Sequence, residues 1–206
     1  WCFKHQLFPL LDLLKKMMQK AWESAIITLS QYHWKAIREK RKKEEYRENV
    51  MSIVKVREYF KQYGMEEKIL EFEESSATVE LAAQAVGCEP ARIAKTLSFM
   101  VEEKPVLIVT AGDAKIDNSK YKGFFKTKAK MLSRDEVEEL IGHGVGGVCP
   151  FGIKEGVSVY LDVSMKRFQT VFPAAGSGNS AIELTIPELE KYSNCTGWVD
   201  VCKNWE

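Results

Sequence analysis

Two glycine-rich turns offer the backbone groups in this sequence that are best suited to holding a ligand. The first, GHGVGGVCPFG at residues 142–152, is the densest glycine cluster, and the second, PAAGSGN, covers residues 173–179. Exposed amides in such turns can approach a ligand closely, because glycine has no side chain to keep it away. Two turns of this kind in one small domain predict a pocket that binds a small molecule through backbone groups. The alternative is that both simply connect strands.

Lys95 is the candidate charged residue. It follows the apolar residues Ile93 and Ala94 and precedes TLSF at residues 96–99, a run typical of a strand. We therefore expect its ammonium group to emerge at the start of a strand and not on a solvated helix face. The alternative is an ordinary surface charge, which is the commonest role of lysine.

Other chemistries find less support. His143 is the only histidine after residue 50, so a Ser–His–Asp triad or a histidine-based metal site would depend on that one ring. Residues 142–152 also lack the spaced glycines and lysine of a nucleotide-binding P-loop. Cys149 could act as a thiolate nucleophile with His143 as its base. We favour a small buried cysteine at that position and a loop position for His143 near the mouth of the pocket.

The elements that position these residues alternate between helix and strand. The patterns predict helices over residues 54–63, 79–86, 90–95 and 134–141 and from 185 onward, and strands over 68–73, 97–101, 106–110, 157–163, 170–172, 182–184 and 198–202. Gly64 and Gly87 are predicted to end helices, and Ser133 and Thr185 to open capping boxes. Asp162 either orients Lys95 or caps the following turn, and we favour the cap. The irregular order predicts an α/β fold with a mixed, largely antiparallel sheet and flanking helices.

Charge and glycine content divide the chain near residue 50. Residues 1–50 contain 11 Lys/Arg and 6 Asp/Glu, residues 51–206 contain 19 and 23, and all 13 glycines fall in the second part. We predict a basic helical extension over 1–50, outside the native domain, and one domain over 51–206. One interpretation is that the extension is an arm that contacts RNA or an anionic membrane surface. The other, which we favour, is that it is an appendage without a role in the chemistry. The net charge of +1 excludes a strongly basic nucleic-acid binder as a description of the whole chain.

Taken in order, five short motifs resemble the YbaK/ProX family of aminoacyl-tRNA deacylases, which includes the editing domain inserted in bacterial prolyl-tRNA synthetases. The motifs are RIAKTL at 92–97, AGD at 111–113, GGVCPFG at 146–152, YLD at 160–162 and AAG at 174–176. The resemblance covers residues 51–206. It implies the family's fold and a cytoplasmic hydrolase that cleaves the ester between a wrong amino acid and the terminal ribose of a tRNA, without metal or organic cofactor.

The resemblance also implies site residues. Lys95 matches the family's near-invariant lysine, and residues 146–150 match its G-x-x-x-P loop, so Lys95 and Gly146 are expected to be catalytic. The substrate-binding residues implied by the same motifs are Thr96, Gly147, Val148, Pro150, Ala174, Ala175 and Gly176. Lys95 would place positive charge at the ribose–phosphate or the ester oxygens, and the amides of residues 146–148 would cradle the carbonyl oxygen.

The same motifs bear on which amino acid and which partners the domain would recognise. Ala174 and Ala181 stand where cysteinyl-tRNA-directed members carry serine and aspartate, so a small amino acid is expected without a preference for cysteine. The negative charge of residues 51–206 favours contact with only the acceptor end of the aminoacyl-tRNA, helped by a synthetase or elongation factor. No apolar run reaches the roughly 20 residues of a membrane span. A non-catalytic regulatory module that binds tRNA or protein is the alternative, because fold does not determine function.

Overall fold

The computed structural model describes residue 18 and residues 31–41, 43–44, 47, 50–73, 78–144 and 146–205. The chain forms two compact units, Trp1–Glu44 and Glu45–Glu206. In the first unit, residues 31–41 are helical and nearly all of their side chains are exposed, including Tyr32 and Trp34. The helical character predicted for the extension therefore holds over these residues, whereas residues 1–17 and 19–30 lie outside the described part.

Ten strands are described in the second unit: β1 (Ile69–Glu71), β2 (Ile93–Val101), β3 (Lys104–Ala111), β4 (Lys115–Ile116), β5 (Ser158–Asp162), β6 (Thr170–Pro173), β7 (Ser180–Ile182), β8 (Leu184–Thr185), β9 (Gly197–Val199) and β10 (Cys202–Lys203). Six of them form a central sheet in the order β8-β6-β2-β3-β5-β9. The remaining four form two antiparallel pairs, β1 with β7 and β4 with β10.

The central sheet is mixed. β2 pairs antiparallel with β3, and β6 pairs antiparallel with β8. The pairs β2–β6, β3–β5 and β5–β9 are parallel. The predicted mixed α/β architecture is confirmed, although parallel pairs outnumber antiparallel ones within this sheet, because connections through helices and loops return several strands in the same direction.

Local start and stop signals are reproduced where the sequence contains them. The helices are α1 (50–61), α2 (Val79–Val86), α3 (Asn118–Phe125), α4 (Arg134–Leu140) and α5 (Ile186–Ser193). Gly64 and Gly87 adopt φ of 63° and 70° after α1 and α2, and Ser133 and Thr185 form the two predicted capping boxes. Thr78 caps α2, because its side chain accepts a hydrogen bond from the amide of Leu81.

Three element boundaries differ from the sequence predictions, each because of a long-range contact. The predicted helix 90–95 is a short 3-10 turn, Pro90–Arg92, followed at once by β2, whose first residues pair with β6. The predicted strand 182–184 divides at Glu183 into β7 and β8, which pair with different partners. The predicted strand 198–202 divides into β9 and β10, because the Asp162 carboxylate accepts a hydrogen bond from the Val201 amide at 3.0 Å.

The core covers both faces of the central strands. Leu107, Ile108 and Val109 on β3 and Leu161 on β5 have no exposed surface. A residue run buried on both faces is typical of central strands that run beside parallel neighbours. The hairpin between β2 and β3 turns at Glu102 and Glu103, which adopt φ of 46° and 64°. Positive φ at both central residues gives the turn the twist that a two-residue hairpin requires.

Candidate functional site

A cavity of about 370 Å³ opens beside the first half of β2. Its walls come from β2, α2, α4 and the two glycine-rich turns. Five of the residues expected at the site line it together: Lys95, Thr96, Gly146, Val148 and Ala174. Its volume falls in the range of roughly 300–1,000 Å³ that small-molecule sites occupy. The structure thus brings together residues that are up to about 80 positions apart in the sequence.

Lys95 lies within β2, opposite Thr110 of β3. Its Nζ donates hydrogen bonds to the carbonyl oxygens of Gly112, at 3.0 Å, and Ala114. Partial burial of the side chain lowers the pKa of Lys95, because desolvation disfavours the charged form. An ammonium group has three N–H donors, so two carbonyl partners leave one donor for a bound ligand.

The loop after α4 lines the cavity with Gly146 and Val148 and uses another of its amides internally. Gly146 adopts φ of 95°, a conformation that favours glycine. The Gly147 amide donates to the Gly144 carbonyl at 3.1 Å, so it is not available to cradle a ligand oxygen as expected. Within the described residues, the amides of Gly146 and Val148 have no hydrogen-bond partner. The expected set of three oxyanion donors is therefore reduced to two.

Gly147 and Gly176 make the two glycine-rich turns touch. A Cβ atom on Gly147 would lie 2.4 Å from the Gly176 carbonyl oxygen. A Cβ on Gly176 would lie 2.7 Å from the Ser52 carbonyl oxygen, and Gly176 also has φ of 96°. Neither glycine lines the cavity. Their role is to let two backbones and α1 approach closely, which differs from the substrate contact expected from the sequence.

Two further expected residues lie away from the cavity. Pro150 lines a different cavity, of about 340 Å³, beside Tyr59 and Lys154. Ala175 is completely buried in the core, and its amide donates a hydrogen bond to the Ser180 carbonyl, which holds the turn closed. Both residues shape the loops on which the lining residues lie, and neither reaches the site directly.

His143 and Cys149 form a sealed cluster beneath the loop. Both side chains have no exposed surface, and His143 Nε2 lies 2.8 Å from the Phe151 carbonyl oxygen and 3.9 Å from Cys149 Sγ. Burial lowers the pKa of His143 to about 4 and raises the pKa of Cys149 to about 12. A thiol that stays protonated and out of reach cannot act as a nucleophile. His143 is buried in the core and not, as expected, at the mouth of the pocket.

Asp162 has the structural role that was favoured from the sequence. Its carboxylate is completely buried and accepts hydrogen bonds from the amides of Ser164 and Val201, both at 3.0 Å. Within the described part of the chain, no group of three or more His, Cys, Asp or Glu residues is placed to hold a metal ion. No helix of that part is long and apolar enough to cross a membrane.

Residues 73–192 match the model of the aminoacyl-tRNA editing domain family. This segment is more than half of the chain and contains every residue that lines the cavity. The chain belongs to this editing-domain family.

Relatives of the editing domain support this membership. An uncharacterized protein of Bacillus subtilis (strain 168), YwhH, is 58% identical over 157 residues, which are 76% of this chain and 100% of that protein. A proline–tRNA ligase of Bacillus cytotoxicus is 32% identical over 85 residues, 41% of this chain and 15% of the ligase. A solved structure described as a candidate trans-editing enzyme for prolyl-tRNA synthetase has a TM-score of 0.68 and 28% identity, covering 74% of this chain and 97% of that one.

Several lining residues of this editing domain were not found from the sequence. Ser98, Met131, Arg134 and Ser180 all line the cavity. Arg134 does carry a local signal, because it opens α4, where a positive charge opposes the helix dipole. Thr96 Oγ1 is buried and has no hydrogen-bond partner among the described residues.

Proposed function

We propose that this chain hydrolyses the ester bond of a mischarged aminoacyl-tRNA that carries a small amino acid. The observation that carries the proposal is the placement of Lys95 and Gly146 on one cavity within an aminoacyl-tRNA editing domain. An aminoacyl ester is already activated. The site therefore needs mainly to orient water and to stabilise the negative charge that develops on the carbonyl oxygen.

Lys95 supplies the positive charge in this proposal. Its two carbonyl partners, Gly112 and Ala114, hold the ammonium group at one wall of the cavity. Because the group is oriented before the substrate arrives, little reorganisation is needed when charge develops. Its third N–H points to the ester oxygens or to the terminal ribose–phosphate.

The amides of Gly146 and Val148 are the candidates for the oxyanion site. Both residues line the cavity, and neither amide has another partner within the described residues. Backbone amides cost no side-chain entropy to order, and loss of one oxyanion donor typically costs about a hundredfold or more in rate.

The walls favour a small amino-acid side chain without a positive charge. Ala82, Ala174 and Ala181 line the cavity together with larger apolar residues such as Ile93 and Phe172, and no Asp or Glu among the described residues lines it. A positively charged side chain would lose its hydration there without gaining an opposite charge from these residues, because the charged groups of the wall are Lys95 and Arg134. Size alone discriminates by about 1–3 kcal/mol per methylene, so neighbouring small amino acids would be separated only moderately.

The partner in this proposal is the acceptor end of the aminoacyl-tRNA in the cytoplasm, delivered with the help of a synthetase or elongation factor. Deacylation of a panel of tRNAs charged with alanine, serine, cysteine and proline tests the activity. We expect rapid hydrolysis of at least one mischarged species and slow hydrolysis of the correctly charged ones. Binding of tRNA or of a protein without hydrolysis of any ester would instead favour a regulatory module.

Residues 51–206 form the working unit in this proposal. A chain that begins at Met51 should deacylate the same substrates within about twofold of the full chain. The comparison is made at two salt concentrations, because a basic extension that contributed RNA affinity would matter most at low salt. A loss of more than tenfold would assign residues 1–50 a role in the activity.

A further inference from the structure

A concentrated basic segment lies next to the cavity, within a domain that is otherwise acidic. Residues 115–134 contain seven Lys or Arg and one Asp, whereas the rest of 51–206 contains 12 Lys or Arg and 22 Asp or Glu. Six of these basic residues are exposed, and the five that follow α3's first turn form what we call the basic strip: Lys122, Lys126, Lys128, Lys130 and Arg134. Such a local concentration of positive charge is typical of a surface that meets a polyanion.

The backbone keeps the middle of the basic strip extended and fixed to the sheet. The Met100 amide donates to the Lys130 carbonyl at 2.9 Å, and the Leu132 amide donates to the Ser98 carbonyl at 3.1 Å. Lys128 and Lys130 are exposed, while the intervening Ala129 is half-buried. Alternation with a period of two places these two lysines on one face, about 6–7 Å apart. Lys126, which is also exposed, closes α3 with φ of 60° just before this extended stretch.

One acidic neighbour of these lysines is Glu136, whose pKa is lowered by backbone and side-chain hydrogen bonds at the start of α4 and, to a smaller extent, by the charge of Lys130. No ion pair is formed by Lys122, Lys126, Lys128 or Lys130 among the described residues, and the one hydrogen bond from their ammonium groups is that of Lys126 to the Gly123 carbonyl, at 2.5 Å. Exposed lysines without carboxylate partners are available for phosphate groups.

The basic strip ends at the cavity. Met131, Leu132 and Arg134, which immediately follow Lys130, all line it. Two large apolar side chains are exposed along the same segment, Phe124 at 48% and Met131 at 58%. An exposed aromatic side chain beside a positively charged track is the arrangement on which unpaired bases stack in single-stranded nucleic-acid sites.

We propose that the basic strip binds the sugar–phosphate backbone of the tRNA acceptor stem and leads its 3′ end into the cavity. This inference rests on the proposed function, because that function supplies the RNA. It also revises the expectation that the acidic domain contacts only the terminal nucleotides. The charge of the domain as a whole conceals a surface of the opposite sign beside the site.

A triple substitution in the full chain tests the proposal. Lys126→Gln, Lys128→Gln and Lys130→Gln are combined, and binding of an uncharged tRNA transcript is measured at several salt concentrations. Each phosphate contact contributes about 0.7–0.9 to the slope of log K against log salt, so we expect the slope to decrease by about 2. The matched control combines Lys61→Gln, Lys68→Gln and Lys166→Gln, three exposed lysines outside the basic strip. The control changes the net charge equally and should leave the slope within about 0.5.

Kinetics separate this proposal from the function on which it rests. For the strip variant, kcat/KM should decrease at least fivefold more on aminoacyl-tRNA than on aminoacyl-adenosine, which lacks the stem. An unchanged salt slope in the strip variant, with normal deacylation, would overturn the proposal that the basic strip binds tRNA, while the proposed deacylase activity would stand. A reduced slope in a protein that hydrolyses no ester would support tRNA binding by the basic strip and overturn the proposed deacylase activity. Loss of binding to a synthetase with full tRNA binding would show a protein contact and also overturn the proposal.

Discussion

Two groups of residues at or near the loop 146–150 look suited to chemistry, one at an open cavity and one in the core. In the first group, Lys95 lines an open cavity, with its ammonium group held by two carbonyl oxygens. In the second group, His143 and Cys149 are completely buried. In the sequence the second group resembles a nucleophile and its base more closely than the first. Access and charge state, and not residue type alone, therefore decide which group can react.

Replacement of Lys95 should have the largest effect. Lys95→Met keeps the length of the side chain and removes its charge, so we expect deacylation to decrease at least a hundredfold with little change in the thermal unfolding midpoint. Lys104→Met, at the far end of the hairpin, is the matched control and should retain activity. Normal turnover by the Lys95→Met protein would show that Lys95 takes no part in the mechanism, although it is accessible and His143 and Cys149 are not.

The contact between the two glycine-rich turns should be the next most sensitive. In Gly147→Ala the new Cβ meets the Gly176 carbonyl, and overpacking of this kind typically costs about 1–3 kcal/mol of unfolding free energy. Because the loop must shift, we expect kcat to decrease tenfold or more even at temperatures where the protein remains folded. Gly123→Ala is the control, because nothing lies within 4 Å of a Cβ there. Equal kcat values for the two variants would show that the loop tolerates displacement.

The sealed cluster of His143 and Cys149 should affect the stability of the fold and not the catalytic rate. Since burial lowers the pKa of His143 to about 4 from an unfolded value near 6.5, the unfolded chain binds a proton in that pH range that the native state excludes. Stability is therefore full above pH 6.5 and decreases as the pH falls toward 4, by about 3 kcal/mol in total. Urea unfolding at pH 7 and pH 4.5 measures the decrease. In His143→Gln this dependence should become flatter, and an unaltered profile would contradict the assignment.

Substitution of Cys149 should have the smallest effect on activity. Because burial holds the pKa of Cys149 near 12, the thiolate is scarcely populated at neutral pH. We expect kcat/KM of Cys149→Ser to remain within about threefold of the parent, and thiol-modifying reagents to leave the native protein active. A loss of a hundredfold with an intact fold would instead place Cys149 among the catalytic residues.

Sequence reasoning succeeded where the signal is local. The capping boxes at Ser133 and Thr185 and the stops at Gly64 and Gly87 depend only on residues within one turn, and all four are confirmed. It failed where distant segments decide. The helix expected over residues 90–95 gives way to β2, because pairing with β6 is a contact across nearly 80 residues.

The candidate site shows the same division. The motifs identify Lys95, Gly146 and Val148, which do line the cavity. They could not reveal that Gly147 uses its amide within the loop, since that depends on the path of the backbone. The residue types of the segment 115–134 do indicate the basic strip. The net charge of residues 51–206 does not, because the rest of the domain carries the opposite charge.

The contact between Gly147 and Gly176 limits which residues these two positions can accept. Two backbones meet there without room for a side chain, so neither position can change unless the loops separate. Ala174 and Ala181, a few residues away, instead face the cavity, and their backbones pair with each other. If the proposed function holds, exchange of these alanines for larger or polar residues would alter which amino acid is accepted, while the glycine contact would keep the loop at residues 146–150 in place.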